Sequence, residues 1–506
     1  MPYAERHPHE ADASFDGGDL DCGNGLLLLI RQHIDPLEPG QLLEFRSTEI
    51  SVEEDFPAWC RMTGNELVST TRDGRQRSFL VCKGQLSARQ RRRHPARPTL
   101  PIAHAVVDVR IPAALPPPAP APAIRPMSVM GIGSWPRPRW MLTAIHDRVE
   151  GRLSEDEFTA TAEDATRLAV AAQLRAGVDV VTDGEQRRDN YASFVGARLD
   201  NCQLIPLTDL LPLVDDPGKF EQEMLSLDVP ASDVRHPALF GPLGRSRPLA
   251  VHELEFVREL TEKPVKVALP GPYLLTRIMW MECISDRAYR SREHLAEDIT
   301  RVLREELHYL LAGGAALVQL DEPVLSEVVF TGAKNARSFM CGALSEKGDA
   351  RHELAFATEL INRVVDGLPR ERLGLHVCRG NWTRDERAAL AGDYRPLLPV
   401  LQQVHVGTLF LELCTPRAGE IEVLRELPAD RRIGVGVVNQ KLDRAEPVEE
   451  VAARARRAIE VFGAERVLLT PDCGFATFAG SPVASPAVAE TKLAAIAQAA
   501  ELLRRG

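Results

Sequence analysis

The feature that most limits what this chain can fold into is a succession of eight short apolar runs, each ending in Gly, Pro or a polar residue. They are SVMGIGS (128–134), VDVVTDGE (178–185), VKVALPGP (265–272), ALVQLDEP (316–323), LGLHVC (373–378), TLFLEL (408–413), IGVGVV (433–438) and VLLTPDC (467–473). Such runs, bounded by turn residues, read as strands. Amphipathic segments separate most of them. In one, Leu295, Ile299, Leu303, Leu307 and Leu310 recur at helical spacing and stop at Gly313-Gly314. Another opens with Ser154 and Glu157 at capping-box spacing and closes at Gly177. Eight β-then-α units over residues 127–506 predict an α/β chain ending in a TIM (β/α)8 barrel, a fold whose chemistry sits at the C-terminal ends of its strands.

Soft metal ligands stand at three of those ends: His376 and Cys378, Glu412, and Cys473. Residues two apart on a strand share a face, so His376 and Cys378 aim at one centre. Glu412 and Cys473 reach it only if the fold gathers their strand ends. Two thiolates, an imidazole and a carboxylate select zinc over magnesium or calcium. An isolated His-x-Cys is more often a core histidine beside a buried cysteine; the convergence of three segments is what favours a metal. Cys414 would share the face of Glu412 as a spare ligand, or pack as an inert thiol.

A chain of 506 residues with 44% hydrophobic and 26% charged composition is long enough for more than one globular domain. Its net charge of −11 argues against a general nucleic-acid binder. No apolar run approaches the roughly 18 residues of a membrane span. The polar, acidic start MPYAERHPHEADASFDGGD lacks the regions of a secretory signal, and nine irregularly spaced cysteines fit reduced thiols, so a cytoplasmic location is expected. Residues 1–18 are expected to be disordered. Residues 89–126 combine the basic run Arg89 to Arg97 with ALPPPAPAPAIRP and are expected to form an extended, solvated linker.

Between them, residues 19–88 read as a small two-layer βαβαββ domain: a strand to Cys22, a helix around Leu26 to Ile34, a strand LLEFRSTE, a helix around Glu53 to Met62, and a hairpin turning at Asp73-Gly74. The stretch LDCGNGLLLLIRQHIDPLEPGQLLEF resembles the TusA-like sulfur-carrier family, in which a strand leads into a Cys-Pro-x-Pro motif and a helix. That resemblance implies a persulfide-accepting role for Cys22, served by a sulfur-donor protein, and a helix N-terminus would favour its thiolate. Glycines 23 and 25 replace both motif prolines, which leaves the alternative of a small residue at a strand-to-helix turn.

From Met127 onward the strand-end motifs resemble the catalytic domain of cobalamin-independent methionine synthase, although that family's large N-terminal barrel is absent. The resemblance implies that His376, Cys378, Glu412 and Cys473 bind Zn2+, that Ile132-Gly133-Ser134 holds an amino-acid carboxylate, and that Glu185 and Asp321 hold its ammonium. Glu185 and Asp321 would otherwise serve as structural ion pairs or helix caps. Trp280, two residues out of register, would stack on a pterin or anchor a loop. The implied reaction moves a methyl group from N5 of methyltetrahydrofolate to the thiol of homocysteine, giving methionine. One departure bears on it: Asn439 and Lys441 stand where the family has an aspartate and the histidine that protonates the leaving amine. Either Lys441 has its pKa lowered by its surroundings, or the methyl donor differs. The alternatives to methionine synthesis are zinc-thiolate alkylation of another thiol or electrophile, as in related barrels that alkylate coenzyme M, and non-catalytic sulfur delivery.

Overall fold

The structure is a computed structural model that describes residues 3–91, 106–149, 152–206, 235–280, 288–330, 349–381 and 383–505. Its first part has the predicted βαβαββ order: β1 (Ala13–Asp16), α1 (Leu27–Ile34), β2 (Leu42–Ser47), α2 (Val52–Met62), β3 (Glu66–Asp73) and β4 (Gln76–Cys82). The sheet runs β1-β2-β4-β3, with β1 parallel to β2 and the other pairs antiparallel. Both helices lie on one face, where Phe45 stacks on Phe79 at 4.9 Å and meets the edge of Phe56 at 4.7 Å. The Asp73-Gly74 hairpin forms, with Gly74 at φ +60°.

Two expectations are corrected here. Residues 3–18 carry structure where disorder was expected: β1 lies within them, and Ala4 bridges to Thr71. The first strand therefore ends before Cys22, which instead opens a π-helical turn, Cys22–Leu26, leading into α1. Gly25 at φ +102° takes a conformation that interrupts an extended run.

Six of the eight predicted barrel runs form strands, and the first two contribute only isolated parallel bridges. Six form a continuous parallel sheet: β7 (Lys266–Pro270), β8 (Leu317–Asp321), β9 (Leu373–Val377), β10 (Thr408–Leu411), β11 (Arg432–Val438) and β12 (Val467–Pro471). The first two runs close the circle through parallel bridges, Val129 to Leu469, Met130 to Val180, and Val181 to Val265. Closure leaves no open sheet edge. The helix Glu155–Arg175 carries the predicted capping box at Ser154 and Glu157, worth about 1 kcal/mol, and the Leu295 series falls in the helix Arg292–Ala312. The antiparallel pair β5 (Asp200–Pro206) and β6 (Arg235–Gly244) was not predicted. The small domain rests on it through Gln203 Nε2, which donates to Asp35 Oδ2 at 2.9 Å. No helix among the described residues is long and apolar enough to cross a membrane.

The linker expectation also needs correction at both ends. Ser87–Arg91 is a short helix, and Arg89 reaches back to Asp12, so the small domain extends past 88. Most of the basic run lies outside the described residues. The Pro-rich stretch is bound to the barrel: Pro116 O accepts from His308 at 3.1 Å, Ala119 O from Arg372 at 2.6 Å, and Ile124 O from Arg432 at 3.4 Å. Proline lacks an N–H but keeps its carbonyl, and a chain without internal hydrogen bonds offers its carbonyls to neighbouring donors. Ile124 packs against the interior cluster of Met130, Ile132, Val180, Leu317, Phe410 and Leu468.

Candidate active site

The β9 and β12 ends bring three ligand-type side chains together. The donor atoms of His376, Cys378 and Cys473 all lie within 4.8 Å of one another, and all three residues are buried. Cys473 Sγ sits 3.6 Å from His376 Nε2. Cys378 is pushed well below the usual thiol range by its hydrogen bond with Cys473 and by His376, despite burial. Cys473 is pushed up by the same pairing and by burial, so one of the two thiols ionises first. Burial opposes protonation of His376, but the contact with Cys378 outweighs it and raises its pKa. His376 Nδ1 is buried without a hydrogen-bond partner.

Glu412 is not part of that triplet. It is 1% exposed, its Oε2 accepts from the Arg379 backbone N–H at 3.1 Å, and its Oε1 is held by Arg417. Arg417 also binds Glu386, whose other oxygen accepts from Asn439 Nδ2. A chain of charged contacts therefore links Glu412 to the loop after β11. Asn439 Oδ1 accepts from the Lys441 backbone at 2.9 Å. The Lys441 side chain is buried and its Nζ has no partner. Burial, reinforced by Arg417, lowers its pKa from the ordinary lysine value. Cys414 stays apart: its thiol is pushed up chiefly by burial, and its backbone N–H donates to Asp472 at 2.9 Å. Sequence reasoning missed Arg417 and Arg379. Arg379 is fully buried between the Phe330 and Tyr394 rings, with Nε and Nη1 unpartnered.

Beside the triplet lies a cavity lined by Ile132, Ser134, Glu185 and Asp321 together with His376, Cys378 and Cys473. Four predicted substrate contacts thus share one hollow with the three ligand-type residues. Glu185 adopts φ +54°, a left-handed conformation uncommon outside glycine, in the turn after Gly184. A Cβ at Gly133 would run into its carboxylate, and one at Gly474 would strike Ser134 Oγ, so both glycines permit close approach. Glu185 Oε2 is buried without a partner, and burial raises the pKa of this carboxyl. Asp321 is pushed up to about 7, chiefly by burial. Tyr191, Asn381, Thr477 and Phe478 also line the wall. They lie on loops with no periodic signal, which is why the sequence did not reveal them. Trp280, Asn439, Lys441 and Glu412 do not line it; Trp280 follows the helix Pro272–Met279 and packs against the barrel core.

Cys22, the remaining candidate, lies in the small domain. It is 6% exposed, and burial together with Asp55 and Asp21 pushes its thiol up to about 12. The expected thiolate-favouring helix terminus is outweighed, since a buried thiol between acids holds its proton.

The family model for the cobalamin-independent synthase catalytic domain matches residues 127–498. The methionine synthase of Thermococcus kodakarensis is 28% identical over 384 residues, covering 76% of this chain and 94% of the relative. That of Saccharolobus solfataricus is 24% identical over 344 residues, covering 68% and 86%. Among solved structures, a B12-independent methionine synthase from a Shewanella species in complex with selenomethionine superposes with a TM-score of 0.53 at 23% identity, covering 78% of this chain and 98% of that one.

Proposed function

The chain belongs to the cobalamin-independent synthase catalytic-domain family, and from that premise we propose that it transfers a methyl group from N5 of methyltetrahydrofolate to the thiol of homocysteine, giving methionine. The observation that carries the reading is the convergence of His376, Cys378 and Cys473 on the cavity that also presents Ser134, Glu185 and Asp321. Two sulfurs and an imidazole nitrogen, buried together with one imidazole nitrogen unpartnered, fit a zinc ion. His376, Cys378 and Cys473 would hold it, with Glu412 as the fourth ligand once Arg417 yields it. Bound zinc supplies a way to keep a substrate thiol deprotonated at neutral pH.

The protein's own groups do the rest. Ser134 holds the substrate carboxylate, and Asp321 and Glu185 hold its ammonium, which compensates two carboxyls that burial otherwise disfavours as anions. Lys441 delivers the proton that the departing tertiary amine needs. Its unpartnered ammonium and lowered pKa suit that role better than an exposed lysine would. All seven cysteines among the described residues are unpaired, which is consistent with a reducing cytoplasm. Zinc-loaded protein incubated with homocysteine and methyltetrahydrofolate should yield methionine by mass spectrometry. No methionine from metal-replete protein would overturn the reading.

For the small domain, the βαβαββ order supports a sulfur-carrier-like origin. The protonated, enclosed state of Cys22 favours a docking module over a persulfide relay.

A further inference from the structure

Beneath the cavity the barrel interior holds a lysine that the reaction described above does not use. Lys266 opens β7 and is fully buried. Its Nζ donates to Gln319 Oε1 at 2.7 Å and lies 4.5 Å from the centre of the Phe410 ring. Gln319, also fully buried, donates from Nε2 to Asp321 Oδ1 at 2.6 Å. Strand register explains the alignment. Ala268 pairs with Gln319 and Pro270 with Asp321, while Gln319 and Asp321 pair with Gly374 and His376 across the other edge of β8. Inward-facing residues therefore climb in layers from Lys266 through Gln319 to the cavity floor.

The support for the cation is itself built by the sequence. Phe410 fits between β9 and β11 only because glycines face it: a Cβ at Gly374 would stand 2.8 Å from its ring, and one at Gly434 closer still. Their absence lets the ring lie flat under the ammonium and offer its negative face. A buried lysine is costly unless it has partners. Burial lowers the Lys266 pKa to about 7, and what favours its ammonium is one ring, one amide oxygen, and the fields of Asp321 and Glu185.

The chemistry of the amide gives this cation a task. Gln319 can present either its oxygen or its NH2 to Asp321, and the two ends have the same shape. In its ammonium form Lys266 can only donate, so the amide oxygen must face it and the NH2 must face Asp321. We infer that Lys266 is a positioning residue that, through Gln319, fixes the Asp321 carboxylate to receive the ammonium of the amino-acid substrate. The inference rests on the reading of Asp321 as the ammonium partner. Without Lys266 the amide oxygen loses its donor, so the carboxamide is held only by Asp321 itself and no longer fixes the carboxylate from below.

The test separates amine recognition from general damage. Zinc-loaded full-length protein is titrated calorimetrically with homocysteine and with 4-sulfanylbutanoate, the same thiol acid lacking the amine. Lys266→Met should weaken homocysteine binding by about 10–100-fold, as expected for loss of a hydrogen bond to a charged group, and leave the amine-free thiol unchanged. Gln319→Glu keeps a partner for Lys266 but has no NH2 for Asp321, so it should show the same selective loss even if Lys266→Met fails to fold. Asp321→Asn serves as the reference. If it discriminates against the amine-free thiol as well as the wild type does, the underlying reading of Asp321 fails. If it loses discrimination while the foldable Lys266 and Gln319 variants keep it, or if those variants weaken both ligands equally, the relay is overturned.

Discussion

Cys473 Sγ lies 3.6 Å from His376 Nε2, although 97 positions separate the two residues in the chain. β10 and β11 stand between their strands in the sheet, so the contact spans the barrel mouth and exists only because the sheet closes on itself. It places a soft nitrogen and a soft sulfur where a second sulfur, Cys378, already points.

Replacing Cys378 or Cys473 by Ser should therefore remove most of the zinc from the purified protein. The barrel should stay folded, because its core lies below the strand ends. Metal analysis beside circular dichroism checks both halves, and unchanged zinc content in the two variants would count against the proposed ligand set.

Arg417→Met should lower the melting temperature of metal-free protein. Removing it leaves Glu412, 1% exposed, without its counter-charge, a change that costs about 3–5 kcal/mol when a buried pair is broken. Zinc gives the carboxylate another partner, so the gap from wild type should narrow when metal is added. Melting curves with and without zinc decide this, and an equal gap in both would mean that Glu412 gains nothing from the metal.

Lys441→Ala should reduce turnover with methyltetrahydrofolate by about 10²–10⁴-fold, the usual loss for a general acid, with zinc content intact. The pH dependence has a definite sign. Lys441 acts in its protonated form, so its contribution is present below its folded pKa and lost as pH rises through it. Burial has moved that point below the ordinary 10.5, so wild-type turnover should fall off on the alkaline side earlier than a solvent-exposed lysine would allow. A pH–rate profile of both proteins, with the alkaline limb identical in the variant, would assign the proton to another group.

Gly434→Ala should destabilise the barrel by about 1–3 kcal/mol, since the added methyl collides with the Phe410 ring in a layer with no spare room. Thermal unfolding measures it. A melting temperature equal to wild type would mean that the ring is not confined as described.

Cys22 should gain no persulfide when the protein is treated with a cysteine desulfurase, cysteine and pyridoxal phosphate beside an active carrier as control. Burial and two neighbouring acids keep its thiol protonated, and the thiolate is the reacting form. Peptide mapping that finds sulfur on Cys22 would restore the relay.

Strand and helix positions were legible in the sequence because they follow from local periodicity and turn chemistry. Six of the eight apolar runs as strands, the other two as parallel bridges, the capping box at Ser154 and the Asp73-Gly74 turn lie where those rules put them. The nearness of His376, Cys378 and Cys473 was legible too, once a closed barrel was assumed. What tertiary structure alone decided is which side chains meet across elements distant in sequence. Arg417 takes Glu412, Gln319 is pinned between Lys266 and Asp321, and Arg372 and Arg432 bind the carbonyls of a Pro-rich strap that composition describes as free. Such contacts have no period and depend on register and closure, and a linear sequence specifies those only through the folded whole.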